Sequence, residues 1–98
     1  MPNIFFLFLL LLHPQSAPDS EKNWEQMRST AESQHEIVML LIKRQDFDKI
    51  TIASQKIFRL KFPGNKEHLL VREGQILADA LIQHGQHELA RRVLDQAL

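Results

Sequence analysis

Ninety-eight residues make one domain, and with the first seventeen set apart about eighty remain to build a core, enough to bury only roughly 60–65% of the unfolded surface. The absence of cysteine excludes disulfides, thiolate metal sites, thiol nucleophiles and lipobox acylation. Twelve Lys and Arg balance twelve Asp and Glu, all beyond Ser16, so no basic excess serves phosphate neutralisation and net charge recruits no nucleic acid. Locally, Lys56, Arg59, Lys61 and Lys66 cluster mid-chain, while Glu21, Glu25, Glu32 and Glu36 lie on the preceding segment. Solvated helix faces account for both groups.

Ile4 to Leu12 reads IFFLFLLLL, nine apolar residues followed by His13, Pro14 and the small residues Ser16 and Ala17. Residues 1–17 therefore resemble a secretory signal, in which a short apolar helix enters the translocon and a proline then presents an extended site to the peptidase. Nine helical residues cover roughly 14 Å at about 1.5 Å each, short of the ~30 Å hydrocarbon core, so a single span is not expected. Two features depart from the signal pattern. No Lys or Arg precedes the apolar run, and Ala17 is followed by Pro18 while Gln15 stands where a small residue is wanted. The expectation is export, periplasmic or secreted, with membrane association through Ile4 to Leu12 if the leader stays attached. A third reading makes the segment an apolar strand or helix that completes the core.

Pro18 to Ser20 reads as a short polar linker, and Ser20 before Glu21 and Lys22 can cap a first helix, opening a domain over residues 21–98. Apolar residues then recur as Trp24, Met27, Ala31, Val38 and Leu41, broadened by Ile37 and Ile42, at the three- and four-residue steps of a helix. Its early part is polar, so it is expected to pack through Trp24 and Met27 and to fray elsewhere. Gln45 and Asp46 interrupt the pattern. A second series runs Phe47, Ile50, Ala53, Ile57 and Leu60 to a stop at Pro63 and Gly64, with Asp46 and Asp48 at its start and Arg59 and Lys61 at its end, as the helix dipole favours. This predicts a helix from Phe47 to Phe62. The β-branched run Ile50, Thr51, Ile52 lowers helix propensity and leaves a strand as the alternative. Asn65 can cap a third helix over Glu67 to His84, striped by Leu70, Gly74, Leu77 and Leu81, thickened by Ile76, Ala78 and Ala80 and closed by Gly85. A fourth runs from Gln86 to the end with Leu89, Ala90, Val93, Leu94 and Ala97 inward. Four helices with short turns make the chain all-α.

The second helix pair carries Leu77, Ala78, Leu81, then Gly85, then Ala90, Leu94 and Ala97, and in this it resembles a tetratricopeptide repeat. Small residues let two helices approach closely, and glycine takes the left-handed conformation that ends the first. The first pair matches through Ile37, Val38, Leu41, Gln45 in place of the turn glycine, Phe47, Ile50 in place of alanine, and Pro63. Phe47 and His87 lie forty residues apart against a family period of thirty-four, so an insertion of six falls around Phe62 to Lys66. The resemblance covers Gln34 to Leu98. It implies two stacked antiparallel helical hairpins and a non-enzymatic protein–protein interaction module, whose groove, lined by the first helix of each hairpin, takes a protein or peptide. Gln34, Val38, Leu41, Leu70, Gly74 and Leu81 become the partner-binding residues it implies. Two repeats fall below the three or so usually needed, so the apolar edge at Val93, Leu94 and Leu98 implies a homo-oligomer or a longer array.

Neither metal nor cofactor is expected. His84 and His87 stand three apart with His68 as a distant third, but Gly85 breaks the helix between them, and turn histidines facing water explain the pattern. His35 with Glu32 or Glu36 has the residue types of an acid/base pair, and so does any solvated helix face. No phosphate loop, serine elbow or HExxH occurs. Gly74 inside a helix costs about 1 kcal/mol against alanine, which predicts a close helix crossing there. Trp24 reads as a core anchor rather than a ligand platform, and Lys43, Arg44, Arg91 and Arg92 as helix-end charges rather than contacts to an acidic partner. HELARRVLDQAL, residues 87–98, also resembles the opening of a DNA-binding helix-turn-helix, the alternative that the neutral charge and the apolar leader disfavour.

Overall fold

A computed structural model describes the backbone from Pro18 and the side chains from Glu21, both to Leu98; the leader, with its signal, anchor and core-completing readings, lies outside the described residues. Within them the chain forms four α-helices and no strand: α1 Pro18–Lys43, α2 Ile50–Phe58, α3 Glu67–Gln83 and α4 His87–Ala97. Single 3₁₀ turns, Phe47–Lys49 and Gly64–Lys66, precede α2 and α3. None of these helices is long and apolar enough to cross a membrane.

α1 takes in Pro18 to Ser20, the expected linker, and stays helical through the polar turns expected to fray. Proline is tolerated in a first turn, because the N–H it lacks has no helical acceptor there. The Ile50–Thr51–Ile52 run is helical, with Ile50 fully buried and Ile52 exposed. α2 stops at Phe58, four residues before the expected end. Leu60 N–H bonds to Ile57 O at 3.0 Å, tightening the last turn, and Pro63 sterically disfavours helical geometry at Phe62. Phe62 leaves the helix and its ring meets Trp24 edge-on at 5.0 Å. Asn65 does not cap α3: it lies within the 3₁₀ turn, and Lys66 occupies the cap position with no side-chain hydrogen bond.

The two helix pairs turn in the same way. After α1, Gln45 takes φ 62°, its N–H bonds to Ile42 O at 3.0 Å, and Asp46 N–H bonds to Leu41 O at 2.9 Å. After α3, forty residues on, Gly85 takes φ 74° and the corresponding bonds run to Ile82 O and Leu81 O, each 2.9 Å. Both are Schellman closures, in which a left-handed residue folds the chain back over the last helical carbonyls. Gln45 and Gly85 thus share the left-handed backbone conformation.

One core joins the pairs. Val38, Ile42, Ile50, Ala53 and Ile57 from α1 and α2 pack with Leu77, Ala78, Leu81, Ala90 and Val93 from α3 and α4. α1 packs on α2 and α3 on α4; α2 also meets α4, and α1 meets α3 less extensively. Gly74 marks a close crossing: a Cβ built there would lie 2.5 Å from Ala97 Cβ, so the expected close approach is present, between α3 and α4. Ser54 is fully buried, with its Oγ 2.6 Å from Gln96 Oε1, a polar tie between α2 and α4.

Candidate functional site

Because α1 and α3 touch only in part, a groove of about 660 Å³ opens between them. Its floor is Phe62, which leaves α2 where that helix ends early, with the fully buried Ile57 beneath. Trp24, Ala31 and His35 form the α1 wall, and Leu70 and Glu73 the α3 wall. The α1 rim is the i, i+4, i+8 row Arg28, Glu32, Glu36, and the α3 rim carries Leu69, Arg72 and Ile76. One edge of each apolar stripe therefore lines the opening while its centre packs into the core.

Two contacts set the width. His35 Nδ1 hydrogen-bonds Glu73 Oε1 across the groove, both side chains half-buried. At the other end Trp24 stacks edge-on against Phe62, with Lys66 Nζ 5.5 Å from the Trp24 ring centre, a cation–π contact. His35 pairs with a residue thirty-eight positions away rather than with Glu32 or Glu36. Trp24 is a half-buried wall residue of the groove as well as an anchor.

The six residues expected to contact a partner are mostly drawn elsewhere. Val38 and Leu81 are fully buried in the core, and Gly74 is buried under Ala97. Gln34 Nε2 donates to Ala53 O at 2.9 Å, tying α1 to α2, and Leu41 is half-buried against the core. Leu70 alone among them lines the groove. The residues missed were the flanking rows, and the row Arg28, Glu32, Glu36 beside the stripe of Trp24 and Ala31 was the signal available for them.

His84 is exposed and stacks edge-on toward Phe47 at 6.2 Å, while His68 and His87 face solvent. Among the described residues no three His, Asp or Glu side chains gather closely enough to hold a metal. Arg91 bonds to Glu88 at 2.6 Å and Asp95 at 2.9 Å, and Arg92 lies 3.6 Å from Glu88, so a phosphate here competes with carboxylates already in place. Hydrogen bonding from Arg91 holds the Glu88 carboxyl below its ordinary value, and Glu88 in turn raises Arg91. A smaller concavity of about 400 Å³ borders Leu60, Phe62, Val71 and the exposed Leu98.

Comparison of the chain with protein-family models, with curated proteins and with solved structures finds no match.

Proposed function

We propose that this chain is an exported, non-enzymatic interaction module, two antiparallel helical hairpins of tetratricopeptide character, which holds a segment of a partner protein between α1 and α3. The observation that carries the reading is the groove itself: apolar surface at Phe62, Trp24, Ala31 and Leu70, the His35–Glu73 pair across it, and charged rims. The matching Schellman closures at Gln45 and Gly85 support the hairpin repeat. Apolar surface supplies affinity and rim charges supply orientation, the usual division of labour in helix- and peptide-binding grooves.

The test places a photo-crosslinking side chain at Ile76, exposed on the groove rim, and separately at Ile52, exposed on α2 away from it. A discrete protein adduct from position 76 and none from position 52 is the expected result. Equal labelling from both, or from neither, removes the groove from the function. Cell fractionation with amino-terminal sequencing tests export, and recovery of the chain only from the cytosol refutes it. Of the edge expected at Val93, Leu94 and Leu98, Val93 is buried in the core and Leu94 packs against it, so self-association through this edge rests on the exposed Leu98, and a sedimentation coefficient unchanged by Leu98→Asp excludes it.

A further inference from the structure

The rims are charged unlike one another, and the salt bridges within the fold leave specific charges unspent. On α1, Arg28 lies 3.9 Å from Glu32, whereas Glu36 has no ion-pair partner among the described residues. On α3, Arg72 likewise has none. Both are exposed at the groove mouth, while Glu73, deeper in the wall, is already engaged by His35. Once Arg28 and Glu32 are set against each other, the groove presents an acidic charge at Glu36 on one rim and a basic charge at Arg72 on the other, with apolar surface between. Along α1 the lining runs from Trp24 to Glu36, about 18 Å at 1.5 Å per residue, the length of roughly three helical turns.

From this charge pattern we infer that the occupant is an amphipathic helix of about three turns whose apolar stripe is bordered by basic residues on one edge and acidic residues on the other. The inference rests on the groove reading above and adds the chemistry of the partner to it. The basic edge meets Glu36 and the acidic edge meets Arg72. A helix with two basic edges sets like charge against Arg72, and one with two acidic edges sets it against Glu36; each mismatch repels and so selects against the wrong partner.

Three synthetic fourteen-residue helices with the same leucine stripe, differing only in their edges (Lys/Lys, Glu/Glu or Lys/Glu), test this against the full chain. Because a mixed-edge helix can lie in either direction, the comparison does not depend on its polarity. Trp24 is the chain's only tryptophan and lies in the groove wall, so its emission reports occupancy directly. The expected order has the Lys/Glu helix tightest by about threefold or more, with the preference fading at 1 M salt, where the screening length is about 3 Å. Arg72→Glu shifts the preference to Lys/Lys, and Glu36→Lys shifts it toward Glu/Glu; both positions are exposed, and helicity by circular dichroism checks each variant. Equal binding of all three helices by the unmodified chain overturns the charge specification and leaves the groove reading standing. No Trp24 response to any of them overturns both.

Discussion

Gln45 holds a backbone φ of 62° without being glycine, although a side chain crowds the neighbouring carbonyl in that region. Gln45→Gly relieves that crowding and, after the larger unfolded-state freedom of glycine is set against it, is expected to raise stability by about 0.5–1 kcal/mol in urea unfolding. Gly85→Ala, at φ 74°, lowers it by about 1 kcal/mol. Opposite signs for the two changes verify the equivalence of the turns; like signs refute it. Ser54 tests the core in the same way. Its single proton goes to the closer acceptor, Gln96 Oε1, so Ser54→Ala leaves that half-buried oxygen without its donor and costs about 1 kcal/mol, measured by the same unfolding curves. A neutral result means that water replaces the bond completely.

Helices α3 and α4 meet where Gly74 faces Ala97. Replacing a helical glycine with alanine gains about 1 kcal/mol in propensity, but the added methyl would stand 2.5 Å from Ala97 Cβ, and overpacking costs about 1–3 kcal/mol. Gly74→Ala is therefore expected to lower the melting temperature, and pairing it with Ala97→Gly to restore part of the loss. Gly74→Leu, far bulkier, unfolds the domain, and an unchanged melting temperature would refute the crossing. α4 also carries the exposed Glu88–Arg91–Asp95 cluster. Because Arg91 lowers the Glu88 carboxyl in the folded state, its stabilising contribution is complete above the unfolded carboxylate range and is lost as pH falls through the lower folded value. Melting temperature should therefore fall below pH 4.5, less steeply in Glu88→Gln. Identical acid limbs in the two proteins would show that the cluster contributes nothing.

Five buried apolar residues come from each helix pair, and Ile57 of the first pair and Leu77 and Leu81 of the second are completely enclosed. Neither pair can cover its own stripe, so the two are expected to unfold together. A fragment of residues 21–62 should show little of the helical circular dichroism that the same residues contribute in the full chain. Full helicity in the fragment would make α1 and α2 an independent unit and remove the need for a shared core.

Helix positions were legible because their causes are local: the spacing of Leu77 and Leu81, the break at Gln45 and Asp46, and glycine at position 85 act within a few residues of themselves. The end of α2, the cap of α3 and the groove were not. Phe62 leaves its helix to meet Trp24, thirty-eight residues earlier, and His35 finds Glu73 at the same separation. Val38, Gly74 and Leu81 belong to the same apolar stripes as groove residues, and periodicity alone does not say which side of a stripe is covered. That division follows from how two helices cross, a property of both surfaces at once. Local chemistry writes the helices and their turns; long-range packing chooses which edge of each stripe stays open.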